Sequence, residues 1–562
     1  WIQTKELAAK HYGLMTVLGS EPKKMFEELV AYAKDKLAAP GKEAERAELD
    51  TWAPDTGGGR LRHRYAAVAG EGNRPIHSAA ASIVAVDMAV QRASKLGTAV
   101  LAMVADNATI STELARNGLS YAERNASMLT DYLRGKADSD KRMIASLTAA
   151  GIRGERRGGA MRFDVMDAQA GSMAAMDHFF FKYSGFTAIT ERKRTAAERM
   201  LQFHMGMQRD KPFESLGGDE TRMLQAFGIG EREWKLLHET EWTKGSDGMY
   251  LTPDVAERLP DAAVAAYLKD RLPISQRAMP VGPEGHAAAS ADKLEQARSD
   301  LATSLWAYIV DRGQHAVIEV GARERAILYR ASLPEYGDNL HLAMKLMLQF
   351  KQFPTAMITR AWGAEIYGGR TAMGKFAGIA ELVIAGTLAG ITTNMLNDMV
   401  KGQDPLSRWR EHPVKAFVSG FLRGGGATIY GDFLFGEFSR HGLPPSAMLI
   451  GPTFGQLDKL AELWSDLTHP TNKTGIYSKP SHAGALALKM ARDNTPFANM
   501  IYTKWAMDYL ILYNLQEAMN PGYLARMEQT MKQNNGTEFW LRPTQTNRQG
   551  FLPALGQAIG GR

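Results

Sequence analysis

The sequence predicts an all-α protein, multidomain and elongated, with a glycine-rich apolar helical hairpin in its C-terminal half. Apolar residues recur at helical spacing through most of the 562 residues, whereas the alternating pattern of strands is nearly absent. The length exceeds what one hydrophobic core usually holds, so we expect about two to four domains. Residues 376–396 form one apolar run that is long enough to cross a bilayer as a helix.

Composition divides the chain into four predicted regions. Residues 1–170 form an Ala-rich helical N-terminal region, and residues 171–275 form an aromatic-rich helical adaptor module. Pro and Gly residues mark a linker at 276–292. The C-terminal helical module, 293–562, begins with an amphipathic helix and contains two candidate membrane segments. The chain begins at Trp1 without the pattern of a secretory signal, so we expect it to be a piece of a longer polypeptide.

The first candidate membrane segment, 376–396, reads FAGIAELVIAGTLAGITTNML and carries one charge, Glu381. A helix needs about 20 predominantly apolar residues to span the roughly 30 Å of hydrocarbon in a bilayer. Much of this run is Ala and Gly, and a carboxylate at membrane depth costs on the order of 2.5–3.5 kcal/mol. Two interpretations therefore stay open, a buried core helix and a span that forms only in an assembly.

Small residues in and before this segment favour close helix packing. Gly374 and Gly378 lie four residues apart, as do Gly386 and Gly390, so each pair occupies one face of a helix. A face without Cβ atoms lets the backbone of another helix approach closely. We therefore predict that these glycines pack against a second helix or a neighbouring subunit.

The second candidate membrane segment, 414–438, reads VKAFVSGFLRGGGATIYGDFLFGEF. Its apolar residues are interrupted by Arg423 and by three consecutive glycines, Gly424, Gly425 and Gly426. Each glycine costs a helix about 1 kcal/mol relative to Ala. We predict two half-length helices around the glycines, in a re-entrant or tightly packed hairpin. Arg423 and Asp432 become functional candidates if this segment lies at membrane depth.

The charge of the chain is modestly positive, with 67 Lys and Arg residues against 61 Asp and Glu residues and a net charge of +6. This excess permits contact with nucleic acid or anionic lipid but is too small to identify either partner. Two clusters of arginine in predicted glycine-rich turns are candidate phosphate contacts. The candidate nucleic-acid contacts are Arg60, Arg62, Arg64, Arg153, Arg156 and Arg157. The alternative for both clusters is a solvated loop.

No catalytic, cofactor or metal site is predicted. The chain has no cysteine, which excludes disulfides, thiolate metal sites and a cysteine nucleophile. The sequence contains no GxxxxGK[ST] to hold phosphates, no HExxH and no GxSxG. His238 and Glu239 lack the second histidine of a helical zinc site. The pair Glu214-Ser215 is similar to that of lytic transglycosylases, but the Gly-Leu-Met-Gln segment that follows it there is missing.

Six separated blocks of sequence carry a family resemblance. They are FGIGEREW at 227–234, GARERAILYR at 321–330, LMLQFKQFPTAMITRAWG at 346–363, LRGGGATIYGDFLFGEF at 422–438, Gly-Pro at 451–452, and NTPFANMIYTKWAMDYLILYNLQEAMNPGYLARMEQTMKQNNGTEFWLRP at 494–543. In this order, and over about Phe179 to Pro543, the chain resembles the C-terminal region of very large internal virion, or DNA-ejection, proteins of tailed bacteriophages.

The resemblance implies a protein that is packed in the capsid near the portal and released with the genome. It implies an oligomer, a ring or tube, that helps to form a conduit for phage double-stranded DNA across the periplasm and inner membrane of the host envelope. The implied partners are further copies of the chain, other phage core, portal or tail proteins, and the host membrane. The shared region of that family has no established active site, so no enzymatic activity or cofactor is carried over.

Three alternatives stay open. The first alternative is a virion-associated peptidoglycan-cleaving enzyme with a divergent site, for which Glu214 is the candidate residue. The second is a purely structural protein that docks on the portal or core, so that the apolar segments never meet lipid. The third is a pore-forming effector unrelated to phage, which would act without any virion.

Overall fold

The structure is a computed structural model that describes residues 13–15, 17–55, 59–69, 78–120, 172–245, 247–271, 291–328, 339–349, 351–368, 371–421, 424, 460, 463–464, 468, 482–540 and 543. These residues are mostly helical and include two short strands, which confirms the predicted all-α class. The elongated shape and the domain boundaries remain predictions.

The described part of the N-terminal region forms helices, two of which begin at recognisable helix signals. They are α1 (Pro22–Lys36), α2 (Glu43–Trp52), α3 (Arg60–Ala69), α4 (Ser78–Lys95), α5 (Ala99–Ala102) and α6 (Asp106–Arg116), with 3₁₀ turns at Leu96–Thr98 and Met103–Ala105. Pro22 lies in the first turn of α1, where a backbone N–H is not needed. Glu43 and Glu45 place negative charge at the positive end of the α2 dipole.

The adaptor module consists of short helices and one β-hairpin. Its elements are α7 (Ser172–Tyr183), α8 (Phe186–Met207), a 3₁₀ turn at Phe213–Ser215, α9 (Gly218–Ala226), α10 (Glu231–Leu237), β1 (Thr243–Gly245), β2 (Gly248–Tyr250), α11 (Asp254–Glu257) and α12 (Asp261–Arg271). The strands are antiparallel, with Thr243 opposite Tyr250. Gly228 has a φ of +78°, a left-handed conformation that ends α9 and that glycine adopts at little cost.

The C-terminal module is helical throughout its described part. Its elements are α13 (Ala291–Ala316), α14 (Ala322–Leu328), α15 (Asn339–Leu348), α16 (Gln352–Ala356), a π-helix at Met357–Trp362, α17 (Gly363–Tyr367), α18 (Ala372–Val400), α19 (Ser407–Glu411), α20 (Pro413–Phe421), α21 (His482–Asp493), α22 (Ile501–Ala506), a π-helix at Met507–Leu512, α23 (Tyr513–Met519) and α24 (Tyr523–Asn535).

The largest hydrophobic cluster combines the adaptor module with α13. Trp234 and Trp242 pack edge to face, with ring centroids 5.6 Å apart, and Leu305 and Ile309 of α13 are fully buried against the same cluster. Aromatic side chains bury large apolar areas and dominate such cores. The helix that follows the predicted linker therefore completes the core of the module that precedes it.

The end of α4 is fixed to the C-terminal module. Lys95 Nζ donates a hydrogen bond of 2.7 Å to the Asp493 carbonyl oxygen. Beside it, Gly97 lies so close to the chain at 499–500 that a Cβ atom would come within 2.5 Å of the Met500 nitrogen. Only glycine permits this approach.

A buried ion pair joins α4 to α7. Arg92 Nε lies 3.1 Å from Asp177 Oδ1, and Arg92 Nη2 lies 2.5 Å from Asp177 Oδ2, in the two-point geometry that suits a guanidinium and a carboxylate. Both side chains are 1% exposed. Removing one partner of such a pair leaves the other charge buried without compensation.

We predict that Asp177→Ala lowers the free energy of unfolding by about 3–5 kcal/mol, as measured by urea denaturation, because Arg92 stays buried. The matched control is Glu28→Ala, which removes a partner 4.0 Å from Lys24 on the exposed side of α1 and should cost less than about 0.5 kcal/mol. Equal losses for the two variants would contradict a structural role for the buried pair.

Candidate functional site

The first candidate membrane segment forms one continuous helix, α18, which extends beyond the predicted 376–396 at both ends. The helix begins at Thr371, whose hydroxyl oxygen accepts a 3.2 Å hydrogen bond from the Gly374 nitrogen. At 1.5 Å per residue its 29 residues are about 43 Å long. Among the described residues, α18 is the one helix long and apolar enough to cross a membrane.

Helix α20 packs antiparallel to α18, and their backbones meet at glycines. The two helices are called the hairpin below. A Cβ atom on Gly386 would come within 2.5 Å of the Gly424 carbonyl oxygen, and one on Gly390 would overlap the Gly420 carbonyl oxygen. Gly386 and Gly390 are four residues apart, and so are Gly420 and Gly424. Helix α18 therefore presents two glycines to Gly420 of α20 and to Gly424, three residues beyond the end of α20, in the small-xxx-small spacing of close helix pairs.

Polar side chains on α18 find partners inside the protein. Glu381 Oε1 accepts a hydrogen bond of 2.5 Å from the Ser111 hydroxyl of α6. The Thr393 hydroxyl donates to the Leu101 carbonyl oxygen at 3.2 Å. The one charge inside the apolar run is therefore directed at the N-terminal region, since burial of a polar group is tolerated when it is hydrogen-bonded.

The side of α18 that faces away from Gly386 and Gly390 is apolar and exposed, and Glu381 lies at its edge, three residues before Ile384. All residues of α18 are described, and Thr392 is the only polar residue among those classed as exposed. Ile384 and Leu388 are each 61% exposed and Phe376 is 71% exposed. On α20, Phe417 is 53% exposed. We name the set Phe376, Ile384, Leu388 and Phe417 the outer face of the hairpin.

Ion pairs and backbone contacts hold the base of the hairpin. Arg408 Nε lies 2.8 Å from Asp398 Oδ2, and the Asp398 carboxylate is buried. The Gly402 carbonyl oxygen accepts hydrogen bonds from the Trp540 nitrogen at 2.8 Å and from the Tyr509 hydroxyl at 3.3 Å. These contacts connect the end of α18 to α19 and to the last helices of the chain.

Helix α6, which binds Glu381, is itself anchored by a buried carboxylate. Glu113 accepts hydrogen bonds from Arg312 Nη1 at 3.0 Å, Arg116 Nη1 at 3.1 Å and Asn117 Nδ2 at 3.0 Å. Burial by itself raises the pKa of Glu113, but the guanidinium groups of Arg312 and Arg116 outweigh burial and hold this pKa below its ordinary value.

The structure places the remaining predicted residues as follows. Gly378 is buried in α18, and Gly374 takes part in its first turn. Arg60, Arg62 and Arg64 lie in α3, so the predicted basic turn is wrong at this position, because the helix begins directly at Arg60. Arg62 and Arg64 are exposed. Arg423, Gly425, Gly426, Asp432, Arg153, Arg156 and Arg157 lie outside the described residues.

Sequence reasoning missed two residues of this site, Gly420 and Ser111. Gly420 carried a detectable signal, because it precedes Gly424 by four residues, as Gly386 precedes Gly390. Ser111 carried none, because it lies 270 positions from Glu381.

Two residues were considered above as possible catalytic or zinc-binding groups. Glu214 lies exposed in a 3₁₀ turn. His238 Nδ1 lies 2.6 Å from the Trp234 carbonyl oxygen, and His238 Nε2 contacts the Arg209 carbonyl oxygen. Within the described part of the chain, no group of three His, Asp or Glu side chains could hold a metal ion.

Comparison of the chain with protein-family models, curated proteins and solved structures finds no match.

We predict that Gly390→Ala destabilises the hairpin, because the new methyl group would meet the backbone of 420–424. Amide hydrogen exchange in α18 and α20 should accelerate about tenfold, which corresponds to about 1.4 kcal/mol. The control is Gly218→Ala in α9, where a Cβ atom meets nothing within 4 Å and alanine favours the helix. Unchanged exchange in Gly390→Ala would show that the helices do not need this close approach.

We also predict a pH-dependent contribution from Glu113. A carboxyl with a lowered folded-state pKa stabilises the fold above its unfolded pKa, and this stabilisation is lost as pH falls through the folded pKa. Glu113→Gln should therefore lower the free energy of unfolding at pH 7, measured by urea denaturation, by on the order of 3 kcal/mol. The difference in stability between the variant and the unaltered protein should shrink below pH 4.5, the ordinary pKa of the carboxyl. Glu48→Gln on the exposed side of α2 is the control. A difference that persists undiminished in acid would exclude this origin.

Proposed function

We propose that this chain is a phage internal virion protein, an ejection protein that engages the host membrane through the hairpin and helps to form an oligomeric conduit for DNA. The single observation that carries the proposal is the outer face of the hairpin, which exposes apolar side chains along a helix long enough to span a bilayer. The resemblance of six sequence blocks to phage ejection proteins supplies the biological setting.

The length of α18 fits a membrane role. A helix of about 43 Å exceeds the roughly 30 Å of hydrocarbon, so it can cross the bilayer with its ends in the headgroup regions. Large apolar side chains such as Ile384 and Leu388 are 61% exposed in this structure, and burial of the exposed part gains about 1–2 kcal/mol for each. Lipid, or a covering partner, would supply that burial.

The glycine contacts also suit a lipid environment. Helices in a bilayer are held together by van der Waals packing and hydrogen bonds, since the hydrophobic effect between helices is absent there. The contact of Gly386 with Gly424 brings two backbones together without any apolar side chain between them. The hairpin can therefore keep its internal contacts when the solvent around it changes from water to lipid.

Glu381 sets a condition on insertion. A carboxylate at membrane depth costs on the order of 2.5–3.5 kcal/mol, and here it is bonded to Ser111. Insertion requires that Glu381 be protonated or find a new polar partner. A second copy of the chain in a ring or tube provides that partner, which is one reason to propose an oligomer.

The proposed partners, DNA and other phage proteins, come from the resemblance to phage ejection proteins. A lumen that conducts DNA must not retain phosphates, and a net charge of +6 over 562 residues is compatible with weak contact. Arg62 and Arg64, exposed on α3, are the described candidates for such contacts. The proposed locations are the capsid interior near the portal and, after ejection, the host periplasm and inner membrane.

A second candidate is a structural protein that docks on the portal or core and never meets lipid. It is favoured by the partners that Glu381 and Thr393 already have inside the chain. On this alternative the outer face is covered by a neighbouring protein in the virion.

Flotation of the purified chain with vesicles of phosphatidylcholine and phosphatidylglycerol tests the proposal. We expect the protein to float and a fragment containing α18 to be protected from protease. Leu388→Glu, at an exposed position, should abolish flotation without unfolding the chain, because a charge at membrane depth costs on the order of 3 kcal/mol.

The matched control is Ile83→Glu, at a 71% exposed position of α4 outside the hairpin. This variant should float like the unaltered protein. Absence of flotation by the unaltered protein, with complete cleavage of α18, would overturn the membrane proposal in favour of the docking role.

A further inference from the structure

A second apolar face lies outside the hairpin, on residues 501–519. This segment comprises α22, the π-helix Met507–Leu512 and α23, and all of its residues are described. Every residue that it exposes is aliphatic or aromatic. These residues, called the second apolar face, are Tyr502, Ala506, Leu510, Ile511, Leu515, Ala518 and Met519.

The charged residues of this segment are bound within the protein. Lys504 Nζ lies 3.0 Å from Asp508 Oδ2, and Arg492 of α21 lies 2.6 Å from Asp508 Oδ1. Glu517 accepts a 2.7 Å hydrogen bond from the Gly522 nitrogen, at the start of α24. The sequence of 501–519 contains no other charged residue. The charged groups of 501–519 thus bind partners within the protein, and the solvent-exposed side of the segment carries no charge.

Two large apolar side chains of the π-helix lie next to each other on the solvent side. Leu510 and Ile511 are 61% and 47% exposed. Tyr509 and Leu512, on either side of them, are buried. Large aliphatic side chains in adjacent positions on one face are typical of an interaction surface.

This face is fixed to the end of the candidate membrane helix. Tyr509 donates its hydroxyl proton to the carbonyl oxygen of Gly402, two residues beyond the end of α18. Gly402 has a φ of +67°, and a Cβ atom there would overlap the Tyr509 ring. The segment 501–519 is therefore packed directly against the polar end of the hairpin.

We propose that the second apolar face lies in the surface of the bilayer that α18 enters, at the boundary of headgroups and acyl chains. The inference rests on the proposed membrane function. A lipid surface fits better than a protein partner because the face offers almost no hydrogen-bonding group. Its one side-chain polar group, the Tyr502 hydroxyl, already donates to the Tyr183 carbonyl oxygen at 3.2 Å.

Protein interfaces carry about one hydrogen bond per 100–200 Å² together with a polar rim, whereas binding at a lipid surface depends on buried apolar area and nonspecific electrostatics. Lys401 directly precedes Gly402, the residue that Tyr509 contacts. The proposal therefore joins one helix that crosses the bilayer to one segment that lies on it.

The absence of cysteine permits a direct test. Single cysteines replace Leu515, Leu388 and Ile83 in separate variants, and each is labelled with a fluorophore that shifts to the blue in lipid. On vesicles of phosphatidylcholine and phosphatidylglycerol, we expect blue shifts at 515 and 388 and none at 83. Lipids brominated near the headgroup should quench the label at 515, and lipids brominated deep in the chain should quench the label at 388.

A substitution test follows from the same face. The double variant Leu510→Glu with Leu515→Glu should weaken vesicle binding at least about tenfold, because it places two charges in the contact. Leu29→Glu with Ile83→Glu is the control, since both positions are exposed on other helices. Circular dichroism checks that each variant is folded, and Leu515→Gln provides a milder change at the same position.

The outcomes separate this inference from the proposed function. If the unaltered protein does not bind vesicles, both proposals fail. If Leu388→Glu abolishes binding but the label at 515 never shifts, the second face is not a lipid contact and only this inference is overturned. If the double variant alters the sedimenting mass without vesicles, the face is an interface between copies of the chain and the inference is likewise overturned.

Discussion

The hairpin depends on one constraint, the approach of two helix backbones at Gly386, Gly390, Gly420 and Gly424. No side chain can enter this contact, because a Cβ atom at any of the four positions would meet neighbouring backbone or side-chain atoms. Packing of this kind draws its stability from dispersion at short distance, which water and lipid leave largely unchanged. The contact thus makes the hairpin a unit whose internal structure does not depend on the surrounding solvent.

The contact between the hairpin and the rest of the protein adds polar groups to apolar packing. Ser111 binds Glu381, and α6, which carries Ser111, is anchored through Glu113 to Arg312. Hydrogen bonds and ion pairs of this sort depend on geometry and on the local dielectric. The hairpin is therefore held together by close backbone packing and by a 3.1 Å hydrogen bond from Asn394 Nδ2 to the Ser419 hydroxyl. It is held in place by these polar contacts and by Leu382, which is buried in an apolar cluster with Val320 and Met357.

Local pattern in the sequence was enough for the fold class and for the helix over 376–396, because helical periodicity and apolar length are properties of consecutive residues. The start of α3 at Arg60 was predicted wrongly as a turn, since the preceding glycines dominated the local signal. Partners distant in sequence were beyond prediction. Ser111 lies 270 positions from Glu381, and no periodicity within a helix indicates which other helix will face it.

The distribution of polar contacts along α18 bears on how the proposed insertion would proceed. Phe376, Ile384 and Leu388 are 71%, 61% and 61% exposed, so their complete burial gains about 3–6 kcal/mol in total. This gain is of the same order as the roughly 2.5–3.5 kcal/mol that Glu381 costs at membrane depth. Toward its C-terminal end, α18 is fixed by Thr393 and by the pair of Asp398 with Arg408. In the proposed insertion, the N-terminal part of α18 enters lipid after Glu381 leaves Ser111 and Leu382 leaves its apolar cluster. The base remains bound to the protein through Asp398 and Arg408.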